Sequence, residues 1–319
     1  MGATAPTTTT DKETITMTSN AIPARPLDHI RNPEHYRFSL GDFQCLALSD
    51  GVLSIPMDGV YADSDPDERE RLLALHGMSL TTYTMDINFL LVDTGKELVL
   101  IDTGLGESGL FGNTGGRLRQ NLAKVGISLD AIDWVLITHA HTDHYFGLID
   151  AKGQPVFPHA RIAINRADFD YWTDESQVDA EGHRGLCTRG ARAALLPYQD
   201  RLEFLNYDQD IVPGIRPILT PGHTVGHTSF LIQSAGKILL NLGDVSHHAV
   251  IEPAHPEWSF SYDSDVALAK VTRADVFRDI AAKDYLILGC HFPFPGLGRI
   301  VQDGAAYTFI PRPALPLFE

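Results

Sequence analysis

The sequence is poor in cysteine, with Cys45, Cys187 and Cys290 alone among 319 residues. An odd number without C-x-x-C spacing argues against a disulfide framework or a thiolate zinc site, so buried free thiols are expected. Positive charge is also scarce: 25 Lys and Arg face 41 Asp and Glu, a formal charge of −16. That balance disfavours nucleic-acid backbones and anionic membrane surfaces as partners and suits a neutral substrate better. No apolar run approaches the roughly 18 residues that span a bilayer. The first twenty residues, MGATAPTTTTDKETITMTSN, lack the basic start and apolar stretch of a secretory signal. A soluble, cytoplasmic protein is expected, with residues 1–35 a disordered tail and lead-in and residues 36–319 one domain. Neither a G-x-S-x-G elbow nor a phosphate-binding G-x-x-x-x-G-K-[ST] loop occurs, which removes the commonest non-metal hydrolase and nucleotide readings.

With 44% hydrophobic residues the chain can bury a sizeable core. Tyr36 to Asp50 alternates enough for a strand or strand pair. Asp65-Pro66-Asp67-Glu68 supplies an N-cap, a first-turn proline and a capping-box glutamate, predicting a helix to about His76. Met85 to Val92 and Leu98 to Ile101, joined by Asp93-Thr94-Gly95-Lys96, predict a hairpin. Leu118 to Val125 has helical spacing, and Trp134 to Thr138 reads as a buried strand. Further strands are expected at Arg161 to Ile164, Ile215 to Leu219, Thr228 to Ile232, Lys237 to Leu242 and Tyr285 to Leu288. Helices are expected at Ala167 to Trp172, Arg189 to Leu196 and Val266 to Ala282. Strands lead and helices interleave in both halves without a repeat, which predicts a layered α/β domain.

The most informative segment is Thr138-His139-Ala140-His141-Thr142-Asp143-His144. In extended backbone, His139 and His141 point to the same side and can grip one ion. Asp143 and His144, on a chain turning into a helix, can address a second ion beside it. A carboxylate buried among imidazoles is costly without a cation to neutralise it; the competing reading is a solvated histidine-rich loop. Three later segments strengthen the metal reading: Pro221-Gly222-His223-Thr224-Val225-Gly226-His227, Leu242-Gly243-Asp244 and Gly289-Cys290-His291. Each follows an apolar run, and strand ends feeding loops are where α/β folds gather site residues.

This ordered set, H-x-H-x-D-H, then G-H-T-x-G-H, then G-D, then a late histidine, resembles the metallo-β-lactamase superfamily over roughly residues 36 to 310. The resemblance implies an αββα sandwich and two Zn2+ ions. His139, His141 and His223 would hold one, Asp143, His144 and His291 the other, and Asp244 would bridge them. Within the superfamily the chain looks closest to methyl parathion hydrolase and related lactonases, through segments such as Leu100-Ile101-Asp102-Thr103-Gly104, Gly109-Leu110-Phe111-Gly112 and Phe294-Pro295-Gly296-Leu297-Gly298. It implies a substrate pocket with Phe111 and Trp172 in its aromatic wall, for which the competing reading is core packing. It also implies a homodimer. A further aromatic of that pocket has no counterpart at Gly185-Leu186-Cys187. Asp102 and His227 are expected to orient ligands rather than to bind metal. His183 carries no spacing signal, and His247, His248 and His255 are expected in surface or loop positions.

Two divalent ions about 3.5 to 4 Å apart can ionise a shared water and polarise the electrophile, so no serine or cysteine nucleophile is needed. Asp143 or Asp244 would then pass a proton to the leaving group. The expected substrates are small, uncharged esters, either lactones such as acyl homoserine lactones or organophosphate triesters of the methyl parathion type. Three alternatives compete. A glyoxalase II-like thioester hydrolase shares the ligand set, although no basic residues near the C-terminus match its glutathione site. A non-catalytic, metal-binding sensor would keep the fold and bind a ligand without turnover. A redox relative would use iron, since imidazole and carboxylate ligands do not by themselves select zinc.

Overall fold

The computed structural model describes Met1 and residues 34–313; the expected tail, up to residue 33, lies outside the described residues. Two sheets organise the described chain. The first is β1 (His35–Leu40), β2 (Phe43–Pro56), β3 (Thr82–Asp93), β4 (Leu98–Ile101), β5 (Trp134–Leu136), β6 (Arg161–Ile164) and β7 (Leu202–Phe204), in that spatial order. β1 to β4 pair antiparallel, and β4 to β7 pair parallel. The β3–β4 hairpin closes as its turn residues require, with the Asp93 carboxylate accepting from Gly95 N at 2.7 Å.

The second sheet runs β13-β12-β11-β10-β9-β8, from β8 (Ile215–Leu219), β9 (Thr228–Ser234), β10 (Lys237–Asn241), β11 (Leu286–Leu288), β12 (Leu297–Asp303) and β13 (Ala306–Pro311). β10 and β11 pair parallel, the remaining neighbours antiparallel. Sequence reading did not find β12 and β13. Gly298, Arg299, Gln302 and Asp303 interrupt any apolar pattern there, and the strands exist through tertiary pairing.

The helices are α1 (Pro66–Leu75), α2 (Leu118–Lys124), α3 (Thr142–Tyr145), α4 (Arg166–Trp172), α5 (Gly182–Leu195), α6 (Ile251–Ala254) and α7 (Val266–Lys283). Asp65 caps α1 by accepting from Glu68 N at 3.0 Å, but the Glu68 side chain pairs with Arg71 rather than completing the capping box. α5 starts seven residues before the expected Arg189. Gly185, a poor helix former, hides the start in sequence, yet a Cβ there would meet Ala180 O at 1.8 Å.

Period-two alternation on strands buried on both faces assigns each residue to a layer. Phe38, Val99, Trp134 and Leu136 face Phe230, Ile232, Leu239 and Leu288 between the sheets. Leu100, Val135 and Ile162 turn outward onto Leu118, Leu122, Ala191 and Leu195 of α2 and α5. Leu240 and Ile287 turn the other way onto Phe277 and Ile280 of α7. The result is the αββα sandwich expected from the sequence. The strands β4, β5, β10 and β11 deliver their carboxyl ends to one edge. There Thr228 N donates to Thr138 O at 2.9 Å and Asn88 N to Cys290 O at 2.8 Å, tying the two sheets together.

A buried carboxylate closes this edge from below. Asp50, at a β-bulge in β2, accepts from Leu105 N (3.0 Å), Gly116 N (3.0 Å) and Leu118 N (2.7 Å). It gathers the loop after β4 and the start of α2. Gly104 must be glycine beside it, because its φ is +82° and a Cβ would lie 2.5 Å from the Asp50 carboxylate. Asp50→Ala leaves these amides without an acceptor in a dry site. We expect a loss of about 2–4 kcal/mol in unfolding free energy, read from the urea midpoint.

Candidate metal centre

Asp102 ends β4 with a left-handed backbone, φ 61°, which turns its side chain under the neighbouring strand end. Its Oδ1 accepts from Thr138 N at 2.8 Å, and its Oδ2 accepts from Thr138 Oγ1 at 2.8 Å and from His144 Nδ1 at 2.9 Å. The His144 ring is thereby fixed with Nε2 free to face the centre. Such outer hydrogen bonds set imidazole tautomer and orientation. His139 and His141 lie on the segment that leaves β5, with His141 in extended backbone, and Asp143 and His144 enter α3, as the spacing predicts.

The structure brings the dispersed residues to this point. Ligand atoms of His139, His141 and His223 lie within 4.8 Å of one another, and so do those of His144, Asp244, Cys290 and His291. His141 Nδ1 and His223 Nε2 face each other at 2.9 Å. Two nitrogens bound tetrahedrally to one Zn2+ at the usual bond length would stand about 3.3 Å apart. Asp244 Oδ2 lies in a ring of imidazole Nε2 atoms: His291 at 3.2 Å, His144 and His223 at 3.4 Å, His247 at 3.5 Å and His139 at 3.7 Å. Asp143 Oδ2 stands 3.5 Å from His291 Nε2 and 3.7 Å from His144 Nε2.

A cation fits this donor set. His139 Nε2, His144 Nε2, His247 Nε2 and Asp244 Oδ1 are buried without a hydrogen-bond partner among the described residues. Such atoms cost about 1–3 kcal/mol each unless something binds them. Burial holds His139, His141 and His223 well below the ordinary imidazole pKa, keeping them neutral with lone pairs available. Burial alone would raise Asp244, but the flanking His291 and His144 outweigh it and hold the carboxyl well below its usual range.

The backbone around these ligand candidates is also fixed. His227 Nε2 accepts from Asp244 N at 2.8 Å, and its Nδ1 faces Thr220 O at 3.1 Å, so it anchors Asp244 from behind. Gly243 permits this approach, since a Cβ would lie 2.6 Å from His227 Nε2. Asp168, which sequence reading did not single out, accepts from Ala140 N at 2.7 Å and Gly226 N at 3.0 Å. It ties the loop of His139 and His141 to the loop of His223.

Above the centre lies a cavity walled by Leu53, Ile55, Met85, Phe111, Leu186 and Phe260, with Tyr262 and His183 at its rim. Phe111 is half exposed and lines it. Trp172 is buried and stands edge-on behind His141, ring centres 5.0 Å apart, where it packs the ligand candidate rather than forming the wall. His247 and His248 are not surface residues: both are buried, and His247 reaches the centre itself. His255 stacks on Trp258 at 4.0 Å. The place of His247, three residues after Asp244, was the available signal. Its partners Glu252, Asp263 and Arg273 had none, because they come together only in space.

Residues 83–291 match the profile of the metallo-beta-lactamase superfamily. An N-acyl homoserine lactonase of Bacillus thuringiensis subsp. kurstaki is 27% identical over 218 residues, 62% of this chain and 77% of that protein. A hydroxyacylglutathione hydrolase of Acidiphilium cryptum is 37% identical over 119 residues, 35% of this chain and 37% of that protein. Among solved structures, AidC, a dizinc quorum-quenching lactonase, superposes with TM-score 0.81 at 27% identity, covering 89% of this chain and 100% of its own. The hydrolase AbOPH of the beta lactamase superfamily gives 0.81 at 28% identity, covering 89% and 99%.

Because unpartnered atoms cluster here, removing divalent metal with a chelator should lower the thermal midpoint, and restoring Zn2+ should return it. In Asp102→Asn the amide cannot accept from both Thr138 and His144 as the carboxylate does. Its metal affinity, measured by chelator competition, should fall about 10–100-fold while the far-UV spectrum is kept.

Proposed function

The chain belongs to the metallo-β-lactamase superfamily, and from that premise we propose that it is a dinuclear-zinc hydrolase of small uncharged esters, with lactones of the acyl homoserine type as its main substrates. The observation that carries this reading is the apolar cavity opening onto the cluster of imidazoles and carboxylates. Among the described residues its lining holds no Lys or Arg, and its walls are aliphatic and aromatic. An acyl chain suits such a wall, whereas an anionic substrate would find no partner there. The likeness to N-acyl homoserine lactonases and to a dizinc lactonase supports the same substrate class.

In this reading His139, His141 and His223 would hold one cation and Asp143, His144 and His291 the other, with the Asp244 carboxylate within reach of both sets. The chemistry a divalent pair supplies when bound is Lewis-acid polarisation of the ester oxygen and acidification of water. The protein's own part is geometric and protic. Asp102, His227 and Asp168 fix the ligand loops so that little reorganisation accompanies reaction. Phe111 and Leu186 cover the ester and exclude bulk water. The Asp143 side chain is more open to the cavity than Asp244, 14% against 4% exposed. Asp143 is the group we assign to carry a proton from the attacking water to the departing ring oxygen. Residues 36–319 act as one hydrolase domain.

Organophosphate triesters of the methyl parathion type present an electrophile to the same site and are the secondary substrates in this proposal. The partial likeness to hydroxyacylglutathione hydrolase favours a thioester reading over 119 residues. The absence of Lys and Arg from the described cavity lining weighs against a glutathione conjugate with its free carboxylates.

Initial rates on N-hexanoyl homoserine lactone, methyl parathion and S-lactoylglutathione separate these classes. We expect the lactone to be hydrolysed fastest and the thioester slowest. No turnover of lactone, triester or simple aryl ester by zinc-loaded protein would discard the reading. Phe111→Ala should raise the lactone KM about 10-fold with a smaller change in kcat, since the lost contact serves ground and transition states alike.

A further inference from the structure

Among the described residues the largest fully buried side chain is Arg273 on α7, with 0% exposure. A buried guanidinium is costly unless each of its five N–H groups finds an acceptor. Here four of them do, and an ion pair to Glu252 adds to these: Nε donates to Val245 O at 2.9 Å, Nη1 to Trp258 O at 2.8 Å and Pro256 O at 3.2 Å, and Nη2 to Asp263 Oδ2. Nη2 lies 3.3 Å from Glu252 Oε1 and 3.3 Å from Asp263 Oδ2. Both carboxylates are themselves buried, and each turns its remaining capacity to an imidazole of the centre. Asp263 Oδ1 accepts from His223 Nδ1 at 2.9 Å. Glu252 Oε1 faces His247 Nδ1 at 3.3 Å, while its Oε2 accepts from Ser246 Oγ at 2.8 Å, from His248 N at 3.0 Å and from His247 N. The rings so held direct His223 Nε2 and His247 Nε2 at Asp244 Oδ2, 3.4 and 3.5 Å away.

We propose that Arg273 is a positioning residue for the metal centre, acting through Asp263 on His223 and through Glu252 on His247, and that His247 is a further imidazole of that centre. The inference rests on the reading that the cluster holds divalent cations. One guanidinium sets two carboxylates, and those carboxylates set two rings that approach Asp244 from the side of α7. The three carbonyls it also holds, from Val245, Pro256 and Trp258, fix the chain on both sides of α6. A lysine has three donors and cannot span these acceptors, so the site asks for arginine.

The test uses the full chain stripped of metal and reloaded with Co2+ or Zn2+. In Asp263→Asn, Glu252→Gln and Arg273→Lys we expect Zn2+ affinity, measured by chelator competition, to fall about 10–100-fold. The visible Co2+ spectrum should shift in each. Phe277→Leu, a packing change on the same helix and outside the site, serves as control: it should lower the thermal midpoint but leave affinity and spectrum as in the parent. Parent-like affinity and spectrum in both Asp263→Asn and Glu252→Gln overturn the proposal even if Arg273→Lys fails to fold. A loss of affinity in Phe277→Leu equal to that in the three variants also overturns it, because helix integrity alone would then explain the effect. A parent chain that takes up no cation overturns the reading of the centre, and this inference with it.

Discussion

Asp244 is a carboxylate buried at the meeting point of two sheets, within 3.2 to 3.7 Å of five imidazole nitrogens. An isolated buried charge costs several kcal/mol even after relaxation, so this arrangement is tenable only where positive charge accompanies it. Burial keeps His139, His141 and His223 neutral, so they provide lone pairs rather than charge, whereas the neighbouring carboxylates outweigh burial at His144, His247 and His291 and hold those rings above the ordinary imidazole range. Positive charge must therefore accompany this carboxylate, as protons on those rings or as a cation that displaces them, and much of the surrounding structure serves to hold the arrangement in place.

The means of holding it are carboxylates set behind the ligand candidates. Asp102 fixes His144, Asp168 joins the two histidine loops, Asp263 fixes His223, and Asp50 braces the loop after β4. Each satisfies several donors, so each is stable in a dry environment and rigid because of it. The sandwich supplies the frame. Two pairs of parallel strands, β4 with β5 and β10 with β11, end on the same edge, and the loops leaving them need only short paths to converge. The same preorganisation lets a hydrolase work without a side-chain nucleophile, because positions rather than reactive groups are what the chain must provide.

The cavity above the centre adds selectivity of a simple kind. Its walls come from β2, β3, α5 and the loops around Phe111 and Phe260, and they are apolar. In a chain of net charge −16, such a mouth repels anions at long range, and its described lining holds no Lys or Arg to pair with them. Both facts support the proposed class of uncharged, chain-bearing esters.

The sequence by itself determined the layer pattern and the principal ligand candidates. Apolar runs marked β3 to β6 and β8 to β11, and H-x-H-x-D-H declared its chemistry because ligand residues at such spacing have few packing explanations. It could not reveal β12 and β13, whose mixed composition becomes strand only through pairing. Nor could it sort Phe111 from Trp172, since both are aromatic and only burial tells wall from buttress. The tertiary structure alone decided that His247 belongs at the centre and that Arg273, Glu252, Asp263 and Asp168 stand behind it. Local periodicity is written in neighbouring residues, whereas a hydrogen bond between positions such as His223 and Asp263, 40 residues apart, exists only after the chain has closed on itself.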